Sequence, residues 1–287
     1  MRGNQVFITD QTGLRRIEGT TVLAGSISFG ADVPHHLTYA NSVDRVFVSV
    51  ISGTSYIAVV NPDPLGLVTT FNNALAYAFN YIKYVSALDV IYCTQSDGTN
   101  LWGRRIDPHT NTITGNFQFS ADAANEFQGG IAFSNNHGEI FVARQNSNPF
   151  LNSIEIFDAA TLAFVTSMSL NNLSPNDMTY VGFQGLMAIA GSDDVGNGIV
   201  GFVDPAARAV IKLVVTNTAS NPTVIVYDPH RFAVAVDCAT ELLFVDVRDY
   251  SIQRIAKPSG GLQMAYNADN LKIYSPMTGT NTVGTYI

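Results

Sequence analysis

The sequence predicts an all-β chain folded as a propeller, a ring of stacked, four-stranded antiparallel blades. Three observations carry that expectation. An aromatic residue returns about every 46 positions, as Tyr39, Tyr84, Phe133, Tyr180, Tyr227 and Tyr266. Two places before each stands an apolar residue (Leu37, Ile82, Ile131, Met178, Ile225, Met264), the alternation of a strand with one packed face. Behind each runs a short apolar stretch such as Val46-Phe47-Val48 or Ile140-Phe141-Val142. A repeat of this length cannot bury its own apolar faces and must stack on its neighbours.

Each unit opens with the strand that carries the aromatic, for example His36-Leu37-Thr38-Tyr39-Ala40. A polar or Gly/Pro turn follows, as in Asn135-Asn136-His137-Gly138. The second strand is apolar on both faces, as expected of a strand covered on both sides. A third strand ends in an acidic or amide turn, at Asn61, Asp107, Asp158, Asp204 and Asp246. Asp-Pro and Asp-x-x-Thr there are turn chemistry, so these aspartates are expected to hold turns. A fourth, more polar strand such as Ala163 to Ser167 completes the unit, and no 3.6-residue stripe interrupts the pattern.

The aromatic count predicts six blades, with seven as the alternative, in a single domain over residues 1–287. The last unit offers three strands up to Ile287, and Val6 to Asp10 with Leu14 to Glu18 lie at the other end. A ring closed by N- and C-terminal strands sharing one blade is therefore expected, which removes free sheet edges.

Composition bounds the partners. The chain is 46% hydrophobic and 13% charged, with a net charge of −8, only four lysines and five glutamates. That balance disfavours nucleic acid and anionic membrane, which reward clustered Lys and Arg. The apolar stretch from Leu65 to Val85 is interrupted by Asn72, Asn73, Asn80 and Lys83, so no membrane insertion is expected. The N-terminus lacks the basic, apolar and cleavage regions of a secretory signal, which points to cytoplasmic synthesis. Cys93 and Cys238 occupy equivalent places in the second and fifth units, too far apart for a disulfide.

Ile140 to Asn148, followed by Ser153 to Thr161, resembles a YVTN/NHL-type propeller repeat, and the other units match it more loosely. The resemblance spans nearly the whole chain and concerns architecture, because such propellers host enzymes, binding modules and scaffolds.

Gly196 to Gly201 fits G-x-G-x-x-G but enters a strand, with no helix N-terminus to hold a pyrophosphate. The Ser192 to Asn197 loop offers too few oxygens for calcium and reads as a hairpin loop. The best site positions are the loops entering the innermost strands, which ring the channel. They bring His35, His36, Tyr81, Lys83, Glu126, Asn176, Asp177, Asn221 and Gln263 to the rim, a set suited to a metal or a small polar ligand. No catalytic set is complete.

Three functions follow. The first is a non-enzymatic binding or assembly module, a rigid disc engaging a protein or glycan, in the setting of a larger particle such as a virion. A surface short of Lys and Glu favours it, since interfaces are depleted in both. The second is a calcium-dependent hydrolase. Six-bladed lactonase-like enzymes, as the resemblance implies, use a Glu/Asn/Asp calcium set in such a place; the match here is incomplete, with Glu126, Asn176, Asp177, Asn221 and His36 as its first candidates. The third is a carbohydrate-binding propeller with Tyr77, Tyr81 and Trp102 as stacking rings.

Overall fold

The computed structural model describes residues 5–10, 13–18, 21–72, 79–216, 221–257, 264–267, 270–277 and 282–286. Within them, 26 strands form seven sheets, each an antiparallel meander in chain order. Blade 1 holds β1 (Gln5–Asp10), β2 (Gly13–Glu18) and β3 (Thr21–Ser28). Blade 2 holds β4 (Val33–Ala40), β5 (Arg45–Ile51), β6 (Tyr56–Pro62) and β7 (Leu65–Phe71). Blade 3 holds β8 (Phe79–Val85), β9 (Val90–Ser96), β10 (Leu101–Asp107) and β11 (Thr112–Ser120). Blade 4 holds β12 (Glu126–Ser134), β13 (Glu139–Asn146), β14 (Asn152–Asp158) and β15 (Phe164–Asn171). Blade 5 holds β16 (Ser174–Val181), β17 (Leu186–Ser192), β18 (Gly198–Asp204) and β19 (Ala209–Val215). Blade 6 holds β20 (Pro222–Asp228), β21 (Ala233–Cys238), β22 (Glu241–Asp246) and β23 (Ile252–Ala256). Blade 7 holds β24 (Ala265–Asn267), β25 (Lys272–Met277) and β26 (Thr282–Tyr286). The one helical segment among the described residues is a 3₁₀ turn, Pro149–Leu151. No helix among them is long and apolar enough to cross a membrane.

The first strands stand side by side around the axis in the order β1, β4, β8, β12, β16, β20, β24, and β24 returns to β1. The ring thus has seven blades, the alternative count. The terminal strands do not share a sheet: β1–β3 and β24–β26 are separate, adjacent blades. The reason lies in one position. Each marker aromatic of blades 2 to 7 is the penultimate residue of its first strand, and Thr9 holds that place in β1. Blade 1 therefore carries no aromatic marker. It nonetheless supplies its own apolar set, with Val6, Phe7, Ile8, Leu14 and Ile17 buried.

Seven apolar clusters fill the seven blade–blade interfaces. The second strands explain why their sequence shows no alternation. In β5, Val46, Val48 and Val50 face blade 1 while Phe47 faces blade 3. In β17, Met187 and Ile189 face blade 4 while Ala188 and Ala190 face blade 6. Both faces are core, so both carry apolar residues. Cys93 and Cys238 are buried, not joined in a disulfide, and lie in the interfaces between blades 2 and 3 and between blades 5 and 6. Burial pushes the Cys93 thiol far above its ordinary range, which makes it inert.

In blades 2 and 3 the marker aromatic also braces the first turn. Five residues beyond it, every blade from 2 to 7 places a left-handed residue: Asp44, Asp89, Gly138, Gly185, Phe232 and Leu271, with φ from 51° to 69°. The Tyr39 and Tyr84 hydroxyls donate to the carboxylates of Asp44 and Asp89 at 2.8 and 2.9 Å. In the outer turns the left-handed residue follows the aspartate by four: Asn111, Leu162, Arg208 and Tyr250. The Asp107, Asp158, Asp204 and Asp246 carboxylates accept backbone N–H groups within those turns at 2.7–2.8 Å. The recurrent aspartates hold turns, as their repetition implies.

Leu271 has neither the glycine freedom of Gly138 nor the hydrogen bond of Asp44. A left-handed L-residue costs about 1–2 kcal/mol, partly offset by the larger unfolded-state entropy of glycine. Leu271→Gly is expected to raise stability by about 0.5–1 kcal/mol, read as a higher urea midpoint with unchanged slope.

Candidate functional site

Five first strands carry a β-bulge near their start, two residues opposing one on the second strand. The bulged pairs are His35–His36, Asn80–Tyr81, Gly129–Gly130, Asn176–Asp177 and Thr223–Val224. A bulge re-aims side chains, and here it turns them toward the axis. The displaced amides are met by buried hydroxyls of the opposing residue. Ser49 accepts from the His36 N–H at 3.0 Å and donates to the Asn80 carbonyl at 2.8 Å, and Thr94 accepts from the Tyr81 N–H at 3.2 Å.

Two layers line the axial channel. The upper contains His36, Tyr81, Asp177 and Val224 from the bulges. The lower, two residues on, contains Thr38, Lys83, Thr179 and Val226, together enclosing a cavity of about 140 Å³. His36 and Tyr81 pack ring on ring with centroids 4.4 Å apart, and His35 lies edge-on at 4.6 Å from His36. Burial holds both imidazoles below their ordinary pKa, with the like group His35 adding to the effect on His36. Both are therefore neutral at physiological pH.

Tyr81 reaches across the ring. Its hydroxyl, on blade 3, donates to the Asn176 carbonyl on blade 5. It spans blade 4, where Gly129 and Gly130 present no side chain. Burial raises the Tyr81 phenol, keeping it a donor. The Asn176 amide donates to the Pro222 carbonyl at 2.7 Å and its oxygen accepts from Gln145 at 3.0 Å. Asp177 accepts from the Met178 N–H at 2.8 Å and from the Ile225 N–H of blade 6 at 3.1 Å. Burial pushes the Asp177 carboxyl up to about 7 against those donors and Lys83. Lys83 lies within the disc, where desolvation lowers its ammonium and Asp177 raises it, yet channel solvent still reaches the side chain.

Glu126 is already engaged by neighbouring side chains. Its carboxylate takes the Arg144 guanidinium at 2.5 Å, the Asn146 amide at 3.0 Å and the Ser120 hydroxyl. Arg144 continues to Glu155 at 3.2 Å, so the network runs through blade 4 and ties it to Ser120 of blade 3. Glu126 also borders, with His35, Asn80, Tyr81 and Phe127, a pocket of about 360 Å³ at the channel mouth. Asn221 is exposed ahead of β20, apart from both cavities. Gln263 and Tyr77 lie outside the described residues. Trp102 is pinned by its N–H to Asp97 at 2.7 Å and by the Arg104 guanidinium 4.9 Å over its ring. Among the described residues no three His, Cys, Asp or Glu side chains converge as a metal site. Thr38 and Thr179 were missed by reading only three residues ahead of each aromatic; the position immediately before it, two further along the same strand face, finds them.

The upper face, where the first strands begin, carries a second feature on blades 4 and 5. Phe127, Phe150, Leu151 and Val195 are 55%, 61%, 55% and 78% exposed. The loops beneath them are firmly held. Asn148 caps the 3₁₀ turn by accepting from the Phe150 N–H, Asn152 accepts from the Asn146 N–H at 2.7 Å, and the Ser147 N–H reaches the Asn125 carbonyl at 2.8 Å. Asp193 accepts from the Val195 and Asn197 N–H groups at 3.1 and 2.7 Å.

No family model and no curated protein matches the chain. Solved structures do. A chain of Kuenenia stuttgartiensis hydrazine synthase superposes with a TM-score of 0.84 at 14% identity, covering 99% of this chain and 92% of that one. A chain from the crystal structure of the mitotic checkpoint complex gives 0.77 at 13% identity, covering 98% and 83%. Likeness at this identity concerns the fold.

A Cβ on Gly130 would stand 2.4 Å from the Met178 nitrogen and 2.6 Å from the Asp177 carboxylate. Gly130→Ala is expected to cost about 1–3 kcal/mol, read by thermal unfolding. Asp177 keeps its proton longer folded than unfolded, so its contribution is fullest below about pH 4 and is lost as pH rises toward 7. Between pH 5 and 8 the wild type is expected to lose stability relative to Asp177→Asn, and parallel urea profiles would contradict this. The axial ring of bulged first strands, the seven interfaces and the superpositions converge on one conclusion: the chain is a seven-bladed β-propeller.

Proposed function

We propose that this propeller is a non-enzymatic protein-binding module that engages its partner through the upper face of blades 4 and 5. The observation that carries this reading is the set of large apolar side chains displayed on loops already fixed by their own hydrogen bonds. Exposed aromatic and aliphatic anchors are the residues that dominate protein interfaces. Holding them in place before binding reduces the ordering cost of association. The likeness to a chain of the mitotic checkpoint complex is in keeping with a propeller that works inside an assembly. The calcium-dependent hydrolase is the weaker reading, because Glu126, its only glutamate near the channel, is committed to Arg144.

A photo-crosslinking residue placed at Phe150 or Val195 is expected to trap one discrete protein in the native host, whereas the same residue at Phe183, on the opposite face, is not. Phe150→Ser with Val195→Ser is expected to abolish the adduct formed from Phe127 while leaving the melting temperature within about 1–2 °C, as for surface substitutions. Equal trapping from both faces, or none from the upper one, overturns the reading.

A further inference from the structure

Lys83 has no role in the fold described above. Its ammonium reaches the axial cavity, and no hydrogen-bond or ion-pair partner is found for it among the described residues. Asp177, the nearest opposite charge, has both carboxylate oxygens engaged by backbone N–H groups. Two hydroxyls share the cavity with Lys83. Thr38 accepts the Tyr84 N–H at 2.9 Å, which leaves its own proton to donate elsewhere, and Thr179 lines both this cavity and the one opening below it. The facing wall is apolar, with Val224 and Val226 on blade 6 and Met264 ahead of blade 7.

We propose that the channel binds a short-chain monocarboxylate, its carboxylate on the Lys83 ammonium and the Thr38 and Thr179 hydroxyls, its tail against Val224 and Val226. One fixed cation matches one negative charge. A phosphate dianion needs more donors than one ammonium and two hydroxyls. A bare inorganic anion leaves the apolar wall unused. The cavity of about 140 Å³ has room for a few-carbon acid. The inference is independent of the upper face, since it uses none of the residues assigned there.

Isothermal titration of the full chain with butyrate, and separately with phosphate and with chloride, tests it. Butyrate is expected to bind, with affinity reduced about tenfold or more in Lys83→Met and to a lesser degree in Thr179→Val. Absence of butyrate binding, equal affinity in Lys83→Met, or phosphate or chloride binding as tightly as butyrate overturns it. Should Lys83→Met fail to fold, the decision passes to Thr38→Val and Thr179→Val, where unchanged butyrate affinity overturns it.

Discussion

The structure depends on one constraint: every blade buries apolar side chains on both of its faces, so each sheet requires a sheet on either side. An open stack of such sheets always leaves two faces uncovered, and only a closed ring covers all of them. The hydrogen-bond ladders make each blade, but they do not join blades. Side-chain burial does, in seven separate cores, and this sets how the first strands meet at the axis. The channel and its polar lining are a result of that packing.

Polar groups near the axis are placed under the same constraint. Five bulges free backbone groups; Thr94 meets one within its own blade, and Ser49, Asn176 and Asp177 meet others across blade boundaries. In blade 6 the equivalent of Ser49 is Asp237, buried against Lys257 and accepting from Ser275 of blade 7 at 2.8 Å. Such buried pairs are weak evidence for stability, since desolvation offsets attraction. They do fix how neighbouring blades align. Lys83 stands apart from this economy of partners, which is why it points to a ligand.

Six of the seven blades were legible because the marker aromatic recurs at the penultimate position of the first strand, with a left-handed residue five beyond it. The seventh was hidden because Thr9 occupies the marker position. Likewise the candidate rim was found where the repeat is least uniform, and His36, Tyr81 and Asp177 do line the channel. Glu126 does stand at the channel mouth beside His35 and Tyr81, but the network that holds its carboxylate was not legible. Its partners Arg144 and Asn146 lie on the neighbouring strand, where sequence spacing does not show them. The pinned loops under Phe150 and Val195 depend on Asn and Asp side chains folding back on their own backbone, which composition alone does not distinguish from ordinary polar loops.

Because no ladder crosses between blades, blade number is a collective quantity and not a property of any one repeat. Duplicating a blade would leave every ladder intact yet change the angle that all the interfaces must span together. Each core is filled by side chains from two adjacent blades, as Ala132 and Met187 fill one and Tyr92 and Phe157 another, so every interface would have to be repacked at once. Blade count is thus protected by the packing of all its interfaces, even though each blade is cheap to copy as a stretch of chain.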